Sequence, residues 1–178
     1  MSDQVELTNP VELSVGGMSG HVLRRGIHLA MSFLPFLYFE FGEDVADAIS
    51  LTLEQVVSSV ILIAIFGEAL RLKMGWTIVG QRSYEAKQVS ALAWGALGVG
   101  MVFLLTPEPE YAYPLILSLS LGDPLLGELR RKGVSTQTVI LAGALGIAVI
   151  WAACAVWVAT PWVLVPLMAP ICVAAEWP

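Results

Sequence analysis

Four short constellations of charged residues hold the chemistry this chain can offer. The first is Arg24-Arg25-Gly26-Ile27-His28, where Arg24 and His28 stand one helical turn apart on a shared face. Arg presents forked donors that suit phosphate oxygens, and His can donate a hydrogen bond or pass a proton. The second is Glu68-Ala69-Leu70-Arg71, whose spacing either closes an internal ion pair or positions Arg71 for a phosphate. The third is Gly122-Asp123-Pro124, followed by Gly127-Glu128 and the basic run Arg130-Arg131-Lys132. Asp123 lies in an apolar run with no basic residue within a helical turn, which makes it a functional candidate. Gly122 and Pro124 are expected to break the helix there. A carboxylate at such a break, beside basic residues, suits Mg²⁺ held against a phosphate chain, or a base for an attacking alcohol. The fourth is Arg82, Glu85, Lys87 and Ser90. Each has an ordinary reading too: topology anchors, a local ion pair, a helix-ending loop.

The elements that must position these residues are apolar. The chain has 178 residues, 57% of them apolar and only 13% charged, and its mean hydropathy is +0.76. Such a composition predicts an all-α, polytopic helical membrane protein with about six transmembrane spans, each needing roughly 20 residues. The expected spans are 22–41, 53–72, 89–105, 111–126, 139–159 and 162–175. All nine Lys and Arg residues fall in three clusters, at Arg24-Arg25, at Arg71 to Lys87 and at Arg130 to Lys132, and the alternate connections hold none. Under the positive-inside rule this places the N-terminus and the chemistry on the cytoplasmic face of a multi-pass integral membrane protein. Residues 1–20 are expected as a polar tail and 21–178 as the transmembrane domain. The tail lacks the pattern of a cleavable signal peptide.

The remaining composition excludes more than it assigns. The net charge of −6 comes from scattered acids and no basic stripe points to nucleic acid. Cys154 and Cys172 lie in apolar spans and offer neither a disulfide framework nor metal-ligand spacing. Gly95, Gly98, Gly100, Gly143 and Gly146 are expected to allow close helix approach. Within Lys73–Lys87, Trp76, Ile78, Val79 and Tyr84 can face lipid, where a lipid substrate would be admitted.

At these residues the chain resembles the CTP-dependent lipid kinases that include dolichol kinase and phytol kinase, relatives of the phosphatidate cytidylyltransferases. The basic-basic-x-x-His start of that family matches Arg24, Arg25 and His28. Its acid-x-x-Arg is similar to Glu68 and Arg71, and its Glu followed by Ser to Glu85 and Ser90. Its Gly-Asp element resembles Gly122, Asp123 and Gly127, and Val173-Ala174-Ala175-Glu176 resembles an acid late in the family. Two departures stand out. Gly133 to Thr138 lacks the Lys and Glu of the family's Lys-Ser-x-Glu-Gly segment, and the family pattern continues past Pro178. A shortened relative or part of a longer chain is therefore expected.

The resemblance implies transfer of the γ-phosphoryl group of CTP to a long-chain isoprenoid alcohol of the dolichol or polyprenol type. It implies Asp123 as Mg²⁺ ligand or catalytic base and His28 as a catalytic partner. Arg24, Arg25, Glu68, Arg71, Arg82, Glu85, Gly122, Arg130, Arg131 and Lys132 would form the nucleotide and phosphate site. The expected partners are the lipid alcohol, CTP and the bilayer, with self-association possible and no nucleic acid. The competing readings are a cytidylyltransferase acting on a lipid phosphate, and a non-catalytic membrane protein or transporter.

Overall fold

The computed structural model describes residues 14–175. They form α1 (Gly17–Met31), α2 (Leu34–Ala48), α3 (Leu53–Met74), α4 (Ala91–Leu105), α5 (Pro109–Leu117), α6 (Asp123–Arg131), α7 (Thr136–Trp157) and α8 (Leu164–Ala175). A 3₁₀ turn, Ser83–Lys87, precedes α4, and a π turn, Ser118–Gly122, joins α5 to α6. The expected tail 1–20 gives way to helix at Gly17. Residues 1–13 of the expected tail, and Glu176, lie outside the described residues.

The expectation of about six membrane spans is overturned. Only α3 and α7, of 22 residues each, are long and apolar enough among the described residues to cross a membrane. The multi-pass integral-membrane placement, with a cytoplasmic N-terminus and active face, falls with that count. Composition had measured apolarity without measuring helix length. The first expected span divides into α1 and α2 because Pro35 has no N–H to give to the carbonyl of Met31. Helix α4 has 15 residues and rises about 22 Å, short of a hydrocarbon core of about 30 Å. Helix α8 is shorter still, at 12 residues.

The fourth expected span is corrected differently. Gly122 and Asp123 keep right-handed helical dihedrals, so the chain does not break at Gly122-Asp123-Pro124. Pro124 cannot donate to the preceding turn, and the π turn widens the path there. Ser120 Oγ donates to the Ile116 carbonyl at 2.8 Å, and Trp151 Nε1 donates to Ser118 Oγ at 2.9 Å. The turn is therefore pinned from α7, and Asp123 is delivered at the start of α6.

Two apolar clusters support these elements. Ile147 and Trp151 of α7 pack on Ala169 and Val173 of α8. Met31, Val99, Phe103 and Ile116 form the other cluster, joining α1, α4 and α5. A side chain added at Gly143 would collide with Leu126 of α6, and one at Gly100 would lie 2.5 Å from Ile61 of α3. These glycines are where helices touch. Gly98 faces open space.

The helix ends are specified locally. Thr52 and Gln55 form a reciprocal capping box at the start of α3, and Gly75 closes its end at φ +67°. Past Gly75 the chain folds back over α1. Val15 N–H donates to the Gln81 carbonyl at 2.8 Å, and Gly80 N–H to the Val15 carbonyl at 3.0 Å. Gly80 makes this crossing at φ +94°, where an added Cβ would lie 3.2 Å from the Gly20 carbonyl oxygen.

Candidate functional site

Residues 75–91 and the facing side of α1 bring most of the expected site together, in two dissimilar halves. In the first half, Arg71 is 6% exposed and every donor of its guanidinium is engaged. Nε and Nη2 donate to the two Glu68 oxygens at 2.9 and 2.8 Å. Nη1 donates to the carbonyls of Trp76 and Glu85, and Nη2 also to that of Gln88. A planar fork of five donors is needed to hold one carboxylate and several carbonyls at once. Arg71 thus ties the 76–88 segment to α3, and it has no donor left for a phosphate.

Glu85 completes this half. It is 2% exposed, and its Oε1 accepts from Arg24 Nη1 at 2.8 Å. Its Oε2 accepts from the Ala91 N–H at 3.2 Å, while Glu68 Oε1 accepts from the Ser90 N–H at 2.6 Å. Ser90 Oγ in turn accepts from Ala93 N–H. Arg82 points elsewhere: its Nη1 donates to the Tyr84 hydroxyl at 2.7 Å.

The second half lies between α1 and α6. His28 Nδ1 stands 3.4 Å from Asp123 Oδ2 and makes no hydrogen bond. Asp123 is 47% exposed, whereas His28 is 15% exposed. Burial pushes the His28 pKa below its usual range; Asp123 opposes this, and Arg24 and Arg25 reinforce it. Arg25 fixes the register of the two helices. Its Nε donates to His21 Nε2 at 2.9 Å, and its Nη1 to the Pro124 carbonyl at 3.1 Å, beside Glu128 at 3.1 Å. Arg131 holds Glu128 from its own helix, and that hydrogen bond keeps the Glu128 carboxyl below the usual range.

A cavity of about 120 Å³ joins the halves. Leu23, Ile27, Met31, Ile78, Val79 and Leu92 give it apolar walls. Arg24, His28, Gln81 and Glu85 are its polar lining. An open cleft of about 430 Å³ shares Arg24, Glu85 and Ala91 with it and runs past Tyr84, Gln88 and Trp94.

The arrangement thus unites Arg24, His28, Glu85 and Asp123. Arg25 acts from behind, and Gly122 lies in the π turn without a side chain to offer. Arg130, Arg131 and Lys132 end α6, with Arg131 committed to Glu128. Sequence reasoning did not single out Ile27, Gln81, Leu92 or His21. Ile27 had a legible signal, since it lies one helical turn from both Leu23 and Met31 on the row of α1 that lines the cavity.

Asp123 is the candidate metal ligand. Among the described residues no group of three or more His, Cys, Asp or Glu gathers to hold an ion. A half-exposed lone carboxylate fits Mg²⁺ that draws its other ligands from phosphate and water. Compared with family models, curated proteins and solved structures, the chain matches none.

Proposed function

We propose that the chain is a lipid kinase that transfers the γ-phosphoryl group of CTP to the hydroxyl of a long-chain isoprenoid alcohol. The observation that supports this reading most is the position of His28. It lines the apolar cavity, and its Nδ1 lies 3.4 Å from the Asp123 carboxylate. An alcohol whose hydroxyl-bearing end reaches the cavity would present its hydroxyl to that pair.

The alcohol oxygen then forms a bond to the γ-phosphorus, the bond from phosphorus to the departing CDP breaks, and the hydroxyl proton passes to the His28–Asp123 pair. Apo geometry of this kind is commonly longer than the working geometry. Arg24 lines both the cavity and the open cleft, so it can address the phosphate chain from the acceptor side. Mg²⁺, when bound, would neutralise charge on the phosphates. Arg25 acts as a positioning residue, because it holds α6 against α1 through the Pro124 carbonyl. The cytidine base and the isoprenoid class come from the resemblance of Arg24, Arg25, His28, Glu85 and Asp123 to the family pattern.

Incubating the purified protein with γ-labelled CTP, Mg²⁺ and mixed polyprenols dispersed in detergent tests the proposal. Label in the lipid fraction with release of CDP is the expected result. Release of pyrophosphate from a lipid phosphate would instead make the chain a cytidylyltransferase. Absence of label in the lipid with folded protein would overturn the kinase reading.

A further inference from the structure

Gln81 is a buried polar residue that the proposed reaction leaves unused. It is 5% exposed, and most of its polar groups are committed. Its backbone N–H donates to the Ile78 carbonyl at 2.9 Å, and its own carbonyl accepts from the Val15 N–H at 2.8 Å. Its side-chain Oε1 accepts from the Ile78 N–H at 2.9 Å. That last bond fixes the amide, because only its oxygen can accept from an N–H. The NH₂ group is left over, and Nε2 has no hydrogen-bond partner among the described residues.

A buried donor without an acceptor is costly and uncommon, so its surroundings tell what it can meet. Gln81 lines the same cavity of about 120 Å³ as Arg24, His28 and Glu85. Its Nε2 is not sealed within protein, unlike the Nδ1 of His28. Arg24 and Glu85 are matched to each other, Nη1 donating to Oε1 at 2.8 Å. Gln81 therefore brings an uncharged pair of N–H groups to a space whose remaining walls are apolar. An uncharged oxygen suits such a donor. A hydroxyl suits it best, since one lone pair can accept from Nε2 while the proton is left for His28. A phosphate monoester would bring its negative charge toward the Glu85 carboxylate.

We propose that Gln81 Nε2 is the hydroxyl-binding donor of this cavity, holding the acceptor oxygen and selecting an alcohol over a phosphate monoester. The proposal rests on the reading of the site as one that takes an alcohol. Gln81 carries no proton in the reaction. Its part is orientation and selection, so its loss falls on the KM for the acceptor.

The chain has five glutamines, so ¹⁵N-glutamine labelling of the full chain gives five side-chain amide pairs in an NMR spectrum. The Gln81 pair is the one missing from Gln81→Glu, whose carboxylate can still accept from the Ile78 N–H. If that variant fails to fold, replacing the other glutamines one at a time identifies the pair by elimination. Without nucleotide, 1-butanol should shift the Gln81 pair saturably and leave the other pairs in place, whereas monobutyl phosphate should not shift it. With CTP present, Gln81→Glu should raise the acceptor KM roughly tenfold, about the loss of one hydrogen bond, while the KM for CTP holds. No saturable shift with 1-butanol, or an unchanged acceptor KM in folded Gln81→Glu, would overturn the assignment. An equal shift with monobutyl phosphate would overturn the selection of an alcohol. The expected shift without transfer of label from CTP would keep the hydroxyl site and remove the kinase reading. Transfer of label with a silent Gln81 pair would do the reverse.

Discussion

Two clusters of arginine and carboxylate look alike in the sequence and are opposites in the fold. Around Arg71, every donor is matched and both carboxylates are buried or nearly so. Around Asp123, the carboxylate is half exposed and its histidine neighbour makes no hydrogen bond through Nδ1. Saturation marks a structural tie, because a fully engaged guanidinium has nothing left to recognise. Incomplete pairing at a cavity marks a place where a ligand group can complete the set.

This contrast can be broken by experiment, beginning with the largest effect. Asp123→Asn should lower transfer of label from CTP to lipid by about 10²–10⁴-fold while leaving the denaturation midpoint near that of the parent chain. A variant with normal turnover would place the reactive carboxylate elsewhere. Arg71→Met should do the reverse kind of harm. It leaves the buried Glu68 carboxylate without its partner, an imbalance that costs about 3–5 kcal/mol in comparable buried pairs. Urea unfolding measures it, and an unchanged midpoint would mean that the tie contributes nothing.

A smaller effect is expected at the outer rim. Glu128→Gln removes an exposed pair with Arg131 and a contact with Arg25, and its midpoint should move far less than that of Arg71→Met. Finally, NMR titration of His28 should give a midpoint below its ordinary value of about 6.5. The unfolded chain then binds the proton more readily than the folded one. Stability from this group is therefore intact above pH ~6.5 and declines as pH falls toward the folded pKa. Asp123→Asn should lower that midpoint further, because the one influence raising it is removed while burial, Arg24 and Arg25 remain.

Much of the site was legible where the signal was local. Arg24 and His28 share a face because helical spacing requires it, and Glu68 pairs with Arg71 for the same reason. The saturation of Arg71 was not legible, since three of its partners are backbone carbonyls on a segment that folds back from Gly75. Likewise, nothing in the spacing of His28 and Asp123 says that α1 and the start of α6 meet. That juxtaposition depends on the π turn held by Trp151. The fold was misread where apolar runs were taken as continuous rods. Pro35 divides one run into two helices, and α4 and α8 stop short, although every run does form helix.

The carboxylates gathered at the amino end of α4 have one more consequence. A helix amino terminus carries partial positive charge and is a common resting place for phosphate. Here Glu68, Glu85 and the Ser90 hydroxyl already accept from the Ser90, Ala91 and Ala93 N–H groups. The chain has filled its own helix-end anion site with side chains. That end of α4 is therefore electrostatically neutralised, its direction is indifferent to whether any phosphate is present, and a phosphorylated ligand must find its positive charge on side chains instead.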